Sequence, residues 1–141
     1  MEKNIVINEM GMQVKSIDAN EVIVRRAVES FIRLYANNPE IVRSVSEAVN
    51  NCIYHAYPEK PGIIYVSAKI FKDGKMQIQI KDKGCGIENI EKAKEAMFST
   101  KSEHSGLGFT VMKSYVDIVK VRSTVNCGTT VTLEKKIELY E

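Results

Sequence analysis

The stretch IQIKDKGCGI, Ile78 to Ile87, carries the choice of fold. Met76, Ile78 and Ile80 alternate as residues of a half-buried strand do, and successive side chains in a strand point to opposite faces. Asp82 therefore lies on the same side as these apolar residues, and Gly84 and Gly86 follow it at once. Two explanations fit a carboxylate turned toward a core and succeeded by backbone free to bend. The segment is either a turn that begins with an acid, or the floor of a pocket.

Outward from this strand the chain alternates helices and strands. Upstream, Ile64, Val66, Ala68 and Ile70 alternate in the same way, and KDGK supplies a hairpin turn into Met76–Ile80. The opening NIVINEMGM reads as an edge strand. Val24, Val28, Phe31, Ile32 and Tyr35 recur at three and four, which predicts a helix over 20–35 with Glu21, Arg25, Arg26 and Glu29 outside. Asn38 can cap a second helix, with Pro39 and Glu40 in its first turn, running to about Tyr57. Its expected core side is Val42, Val45, Val49, Ile53 and Tyr57. Downstream, a short helix is expected around Ile90–Met97, then the polar stretch STKSEHSGLG. A third helix follows with Leu107, Val111, Tyr115 and Ile118 on one face, then a hairpin of VKVRS and TTVTLEKK joined through NCG. The expected fold class is α+β, a two-layer sandwich with helices on one face of a mixed, mostly antiparallel sheet.

Bulk composition narrows the function classes. A chain of 141 residues suits one domain with its own core. With 20 basic and 18 acidic residues the net charge is +2, too near neutral to point to a nucleic-acid or membrane surface. No apolar run is long enough for a bilayer, and no signal-peptide core opens the chain. Cys52, Cys85 and Cys127 are widely separated, which favours neither a disulfide framework nor zinc. The expectation is a reduced, soluble, cytoplasmic protein.

Two further segments carry chemistry. In SVSEAVNNCIYHAY, Glu47 and Asn51 are neighbours on one helix face, beside the apolar one. A carboxylate next to an amide suits a hydrated magnesium ion, which takes hard oxygen ligands. Taken alone, the pair is more simply read as a solvated Glu–Asn pair that supports the helix. In SGLGF, Ser105–Phe109, two glycines precede an amphipathic helix and leave backbone N–H groups open to an anion. Glycines before helices also serve plain capping.

The order and spacing of these segments resemble the GHKL ATPases, the superfamily that includes the nucleotide domains of gyrase and histidine kinases. The parts are a helix with E-x-x-x-N, a hairpin ending in D-x-G-x-G, FSTK at Phe98–Lys101, then G-x-G and a helix. Within it the chain looks like the anti-sigma serine kinases of sporulation. NEM, NEVIVR, SEAVNN, DKGCGI, FSTK, SGLGF and GTT fall in that family's order over nearly the whole of 1–141.

The resemblance implies a site. Asp82 would accept a hydrogen bond from the adenine amino group, with Gly84 and Gly86 letting the chain pass close to the purine. Asn51 would hold Mg²⁺ and Glu47 would be the general base. Lys101, Ser105, Gly106, Leu107, Gly108 and Phe109 would cradle the phosphates of ATP, Thr130 would support the adenine side, and residues 88–106 would form the lid. One departure is His104, where such relatives carry an arginine that can grip a γ-phosphate; Lys101 is the alternative cation. His55 reads as a helix-end residue and Cys85 as a small residue between glycines. Arg25, off the apolar stripe and expected to face solvent, matches an arginine that both partners contact.

The implied activity is an ATP-dependent protein serine kinase that sequesters a sigma factor as a homodimer and phosphorylates its anti-anti-sigma antagonist. Alternatives are a general stress-type anti-sigma kinase, and a binding module that uses ATP only to order its lid.

Overall fold

A computed structural model describes residues 4–87 and 108–141. Strand β1 (Val6–Lys15) leads into helix α1 (Ala19–Arg33) and helix α2 (Ile41–Asn51). One π-helical turn, Cys52–Ala56, extends α2. Strands β2 (Ile63–Phe71) and β3 (Lys75–Asp82) form a hairpin, and α3 (Phe109–Tyr115), β4 (Ile118–Thr124) and β5 (Gly128–Lys136) complete the described chain. The expected short helix at Ile90–Met97 lies outside the described residues.

The sheet order is β1-β2-β3-β5-β4, so β5 inserts beside β3 and places β4 at the edge. Every described pairing is antiparallel, which narrows the expected mixed sheet to an antiparallel one. The β2–β3 turn closes through Gly74 at φ 96°, with the Asp73 carboxylate accepting the Lys75 N–H at 2.9 Å. That is the hairpin chemistry the KDGK segment announces.

One face of the sheet is covered. Ile64, Val66, Ala68 and Ile70 of β2, Met76, Ile78 and Ile80 of β3, and Val131 and Leu133 of β5 are buried against the helices. From α1 come Val24, Val28, Phe31 and Ile32, as the periodicity predicts, and α2 packs on α1, α3, β3 and β5. Ser44 ties α2 to α3 by donating to the Met112 carbonyl at 2.7 Å.

Three local expectations are corrected. Helix α2 begins at Ile41, after a turn at Pro39–Glu40, so Asn38 is not its cap. Its buried stripe is Ile41, Ser44, Val45, Ala48 and Val49, continued by Cys52 and Ala56, with Val42, Ile53 and Tyr57 only partly buried beside the core. In α3 the core face is Phe109 and Met112, followed by Val116, whereas Val111 is exposed and Ile118 is an exposed residue of β4. The left-handed Gly108 (φ 66°) stands at the start of this helix.

Candidate functional site

The strand alternation carries Asp82 inward as expected: it is 5% exposed at the end of β3. Backbone and side-chain donors surround its carboxylate. Oδ1 accepts the Gly84 N–H at 2.9 Å and the Thr129 N–H at 3.2 Å, and Oδ2 accepts the Cys52 thiol at 3.4 Å. Burial, with the Asp82 carboxylate beside it, pushes the Cys52 thiol up, so this sulfur stays protonated as the donor.

The turn after Asp82 is fitted to the end of α2. The Cys85 N–H donates to the Ala56 carbonyl at 2.8 Å and the Cys85 thiol to the His55 carbonyl at 3.2 Å. The Lys83 N–H donates to the Tyr57 hydroxyl at 2.7 Å, and that hydroxyl donates to the Ile63 carbonyl at 2.7 Å. Gly84 leaves no space for a side chain, because a Cβ there would stand 2.1 Å from the Ala56 carbonyl oxygen. Gly86, at φ 75°, also crosses the β4–β5 turn, where a Cβ would meet the Thr124 carbonyl oxygen at 2.4 Å. Both glycines are therefore required by close backbone approach.

A cavity of about 40 Å³ opens between α2 and the sheet, lined on the helix side by Ala48, Asn51, Cys52, His55 and Ala56. Asp82, Gly86, Phe109 and Thr129 are also in its wall. Glu47 precedes this wall on α2 and is half-buried, and its carboxylate lies against Gly108: a Cβ on that glycine would come 2.3 Å from Glu47 Oε2. Glu47, Asn51, Asp82, Gly84, Gly86, Gly108 and Phe109 are thus gathered at one site.

Thr130 is not part of it. In the β3–β5 register Asp82 faces Thr129 and Lys81 faces Thr130, so Thr130 points to the open face of the sheet. There it lines a separate groove with Gln79, Lys120, Arg122 and Thr132. Thr129 is the threonine on the cavity side, held by a 2.8 Å hydrogen bond between its hydroxyl and that of Ser123. Lys101, His104, Ser105, Gly106 and Leu107 lie outside the described residues. Arg25 is on α1, apart from the cavity wall; its side chain is 39% exposed and paired to Glu21 at 3.0 Å rather than freely solvated. Cys52 and His55 were not expected in the site. The signal is spacing by four: His55 follows Asn51 by four residues and Cys52 follows Ala48 by four, and all four line the cavity.

The family model for histidine kinase-like ATPase domains matches residues 14–135, and the chain belongs to that family. An ATPase domain of this family implies ATP binding. Proteins named anti-sigma F factor are among the similar relatives. That of Geobacillus sp. (strain WCH70) is 44% identical over 92% of this chain and 93% of its own length. The Priestia megaterium one is 39% identical with the same coverage, 92% and 93%. Among solved structures, the RsbU and RsbW domains of a Mycobacterium tuberculosis protein superpose with a TM-score of 0.68 at 18% identity, over 92% of this chain and 32% of that one. A blue-light activated histidine kinase of Erythrobacter litoralis gives 0.54 at 18% identity, over 70% of this chain and 30% of that chain. At this identity the structural likeness concerns the fold, an α+β sandwich of the GHKL type.

Proposed function

We propose that this protein is an anti-sigma factor and an ATP-dependent serine kinase of the sporulation type. It binds a sigma factor, the one designated F by the relatives' name, and transfers phosphate to a serine of the anti-anti-sigma protein that competes for it. The observation that carries the proposal is the convergence of an inward Asp82, the amide of Asn51 and the carboxylate of Glu47 beside Gly108.

The roles follow from the chemistry of each group. Asp82 has both backbone donors on Oδ1, and Oδ2, which accepts the Cys52 thiol, has a second lone pair to take an amino hydrogen from adenine. The Asn51 amide oxygen is a hard donor in the cavity wall, suited to Mg²⁺, which when bound neutralises charge developing on phosphate oxygens. Glu47, one turn earlier on the same helix, is the group to accept the serine hydroxyl proton. Residues 88–106 act as the lid, with Lys101, Ser105, Gly106 and Leu107 on the phosphates and Lys101 supplying the cation that His104 does not.

On this proposal the protein is a single cytoplasmic domain that works as a homodimer. Among the described residues β1 pairs on one side only, and the exposed Val6 and Ile7, with Ile5 just before the strand, offer an apolar surface for self-association. Among the described residues no helix is long and apolar enough to cross a membrane.

The test is incubation with γ-labelled ATP, Mg²⁺ and a candidate anti-anti-sigma protein, followed by identification of the labelled residue. Transfer to serine is expected, and Glu47→Gln should abolish it while ATP binding persists. Label remaining as free phosphate with the antagonist present, or wild-type transfer by Glu47→Gln, would refute the assignment.

A further inference from the structure

The open face of the sheet, turned away from the helices and the ATP cavity, concentrates positive charge. Over β3, β5 and β4 its positions carry Lys75, Lys81, Lys120, Arg122 and Lys136 against the single carboxylate of Glu134. The whole chain is only +2, so the residues outside this half-sheet are net acidic. Strand register arranges the cations. One row across the three strands is Lys81, Thr130 and Arg122, and the next is Gln79, Thr132 and Lys120. Thr130 and Thr132 make the floor of a groove of about 280 Å³, with Lys120 and Arg122 along one wall and Gln79 on the other. Some of this charge is already paired: Lys136 with Asp73 at 3.7 Å, and Lys75 and Lys120 with Glu134 at 3.9 and 3.5 Å. Among the described residues Lys81 and Arg122 have no ion pair, and the Thr130 hydroxyl has no hydrogen bond. The Thr132 hydroxyl accepts the Gln79 amide at 3.2 Å and keeps its own hydrogen to donate.

A groove with free donors and cations takes an acceptor-rich anion. At about 280 Å³ it falls below the roughly 300–1,000 Å³ of pockets that enclose a whole small molecule. Nucleic acid fits poorly. The open face of β3, β5 and β4 carries no aromatic side chain on which a base could stack, and the Glu134 carboxylate, next on the floor after Thr132, opposes a continuous run of phosphates. Carboxylates on an extended peptide fit well. Side chains two residues apart on a strand share a face and stand about 7 Å apart, which is also the spacing of Arg122 and Lys120 along β4. We propose that this groove docks an extended acidic segment of a partner protein through two carboxylates separated by one residue. The first meets the fork of Arg122, with Lys81 opposite and the Thr130 hydroxyl below; the second meets Lys120 and the Thr132 hydroxyl.

The experiment is fluorescence anisotropy of the full chain with a labelled peptide of alternating glutamate and alanine. A glutamine–alanine peptide and a single-stranded thymidine oligomer are run beside it. The acidic peptide should bind, the neutral one should not, and binding should weaken as salt is raised. Arg122→Ala and Lys81→Ala should each weaken it by about three- to tenfold, and Arg122→Lys by less than Arg122→Ala. Lys60→Ala removes one exposed positive charge away from this face and should leave binding unchanged. Calorimetry with ATP and a thermal melt should match wild type for every variant, since the groove lies on the far side of the sheet from the cavity. Equal losses from Lys60→Ala and Arg122→Ala would reduce the effect to general charge and overturn the docking site. So would an oligomer bound more tightly than the acidic peptide, or no binding of the peptide by wild-type protein. A dimer that Arg122→Glu dissociates in sedimentation would instead assign the groove to a second copy of the chain and refute the proposal.

Discussion

Replacing Asp82 by Asn changes one atom and tests the pocket floor. In the native chain Oδ1 takes the N–H groups of Gly84 and Thr129 at 2.9 and 3.2 Å, while Oδ2 meets the Cys52 thiol at 3.4 Å. The asparagine oxygen can keep both backbone donors. Its NH₂ then sits where Oδ2 was, facing a thiol that also donates and a ligand amino group that also donates. The variant therefore loses its acceptor on the cavity side. A hydrogen bond to a charged group contributes about 1.5–3 kcal/mol. ATP affinity should fall by about ten- to a hundredfold, since each 1.4 kcal/mol is a factor of ten. Inosine triphosphate, with an oxygen in place of the amino group, should lose much less, because the new NH₂ can donate to it. The backbone bonds also become neutral and weaker, so the melting temperature should drop by a few degrees without loss of cooperativity. Calorimetry with the two nucleotides, beside a thermal melt, decides the matter. A folded Asp82→Asn protein that binds ATP as tightly as wild type would remove the carboxylate from the site and reduce DKGCGI to a turn.

Gly84→Ala would push a Cβ to 2.1 Å from the Ala56 carbonyl, backbone against backbone, and should destabilise the fold by about 1–3 kcal/mol in urea titration. Arg25→Glu reverses a charge paired with Glu21 on α1, away from the cavity. ATP affinity should be unchanged while capture of both the sigma factor and its antagonist weakens in pull-downs; normal capture of both would return Arg25 to an ordinary surface ion pair. Glu134, buried on the open sheet face, has its carboxyl held below the usual range by the Gln77 hydrogen bond, with help from Lys120 and Lys75. A lowered folded value means its stabilisation is present above the ordinary glutamate range, about 4.3, and lost as pH falls through the lowered value. Melts of Glu134→Gln should therefore lie below wild type at neutral pH and converge with it in acid.

The elements most legible in the sequence are those whose pattern is local and strong. Period-two alternation settled the inward face of β3, Asp82 included, because nothing beyond the strand itself is needed to know which side chains share a face. The stripe of α1 was equally plain. In α2, large apolar residues draw the expected stripe toward Val42 and Ile53, yet the buried face is completed by Ser44, Ala48, Cys52 and Ala56. Small residues let a helix approach closely, and a hydropathy pattern gives them little weight. The same small residues, Ala48, Cys52 and Ala56, form part of the cavity wall, whereas His55 reads from sequence as a helix-end residue. The choice between Thr129 and Thr130 was of another kind. Two adjacent threonines on one strand look alike, and a slip of one residue exchanges the faces of the whole strand. What settles it is the pairing of Asp82 with Thr129 across strands whose order, β3 beside β5, is fixed only after the chain has passed through α3 and β4. The carboxylate at the floor of the cavity and the backbone N–H that fixes it thus lie 47 residues apart in the chain. Only the folded sheet can say which threonine holds Asp82 in place.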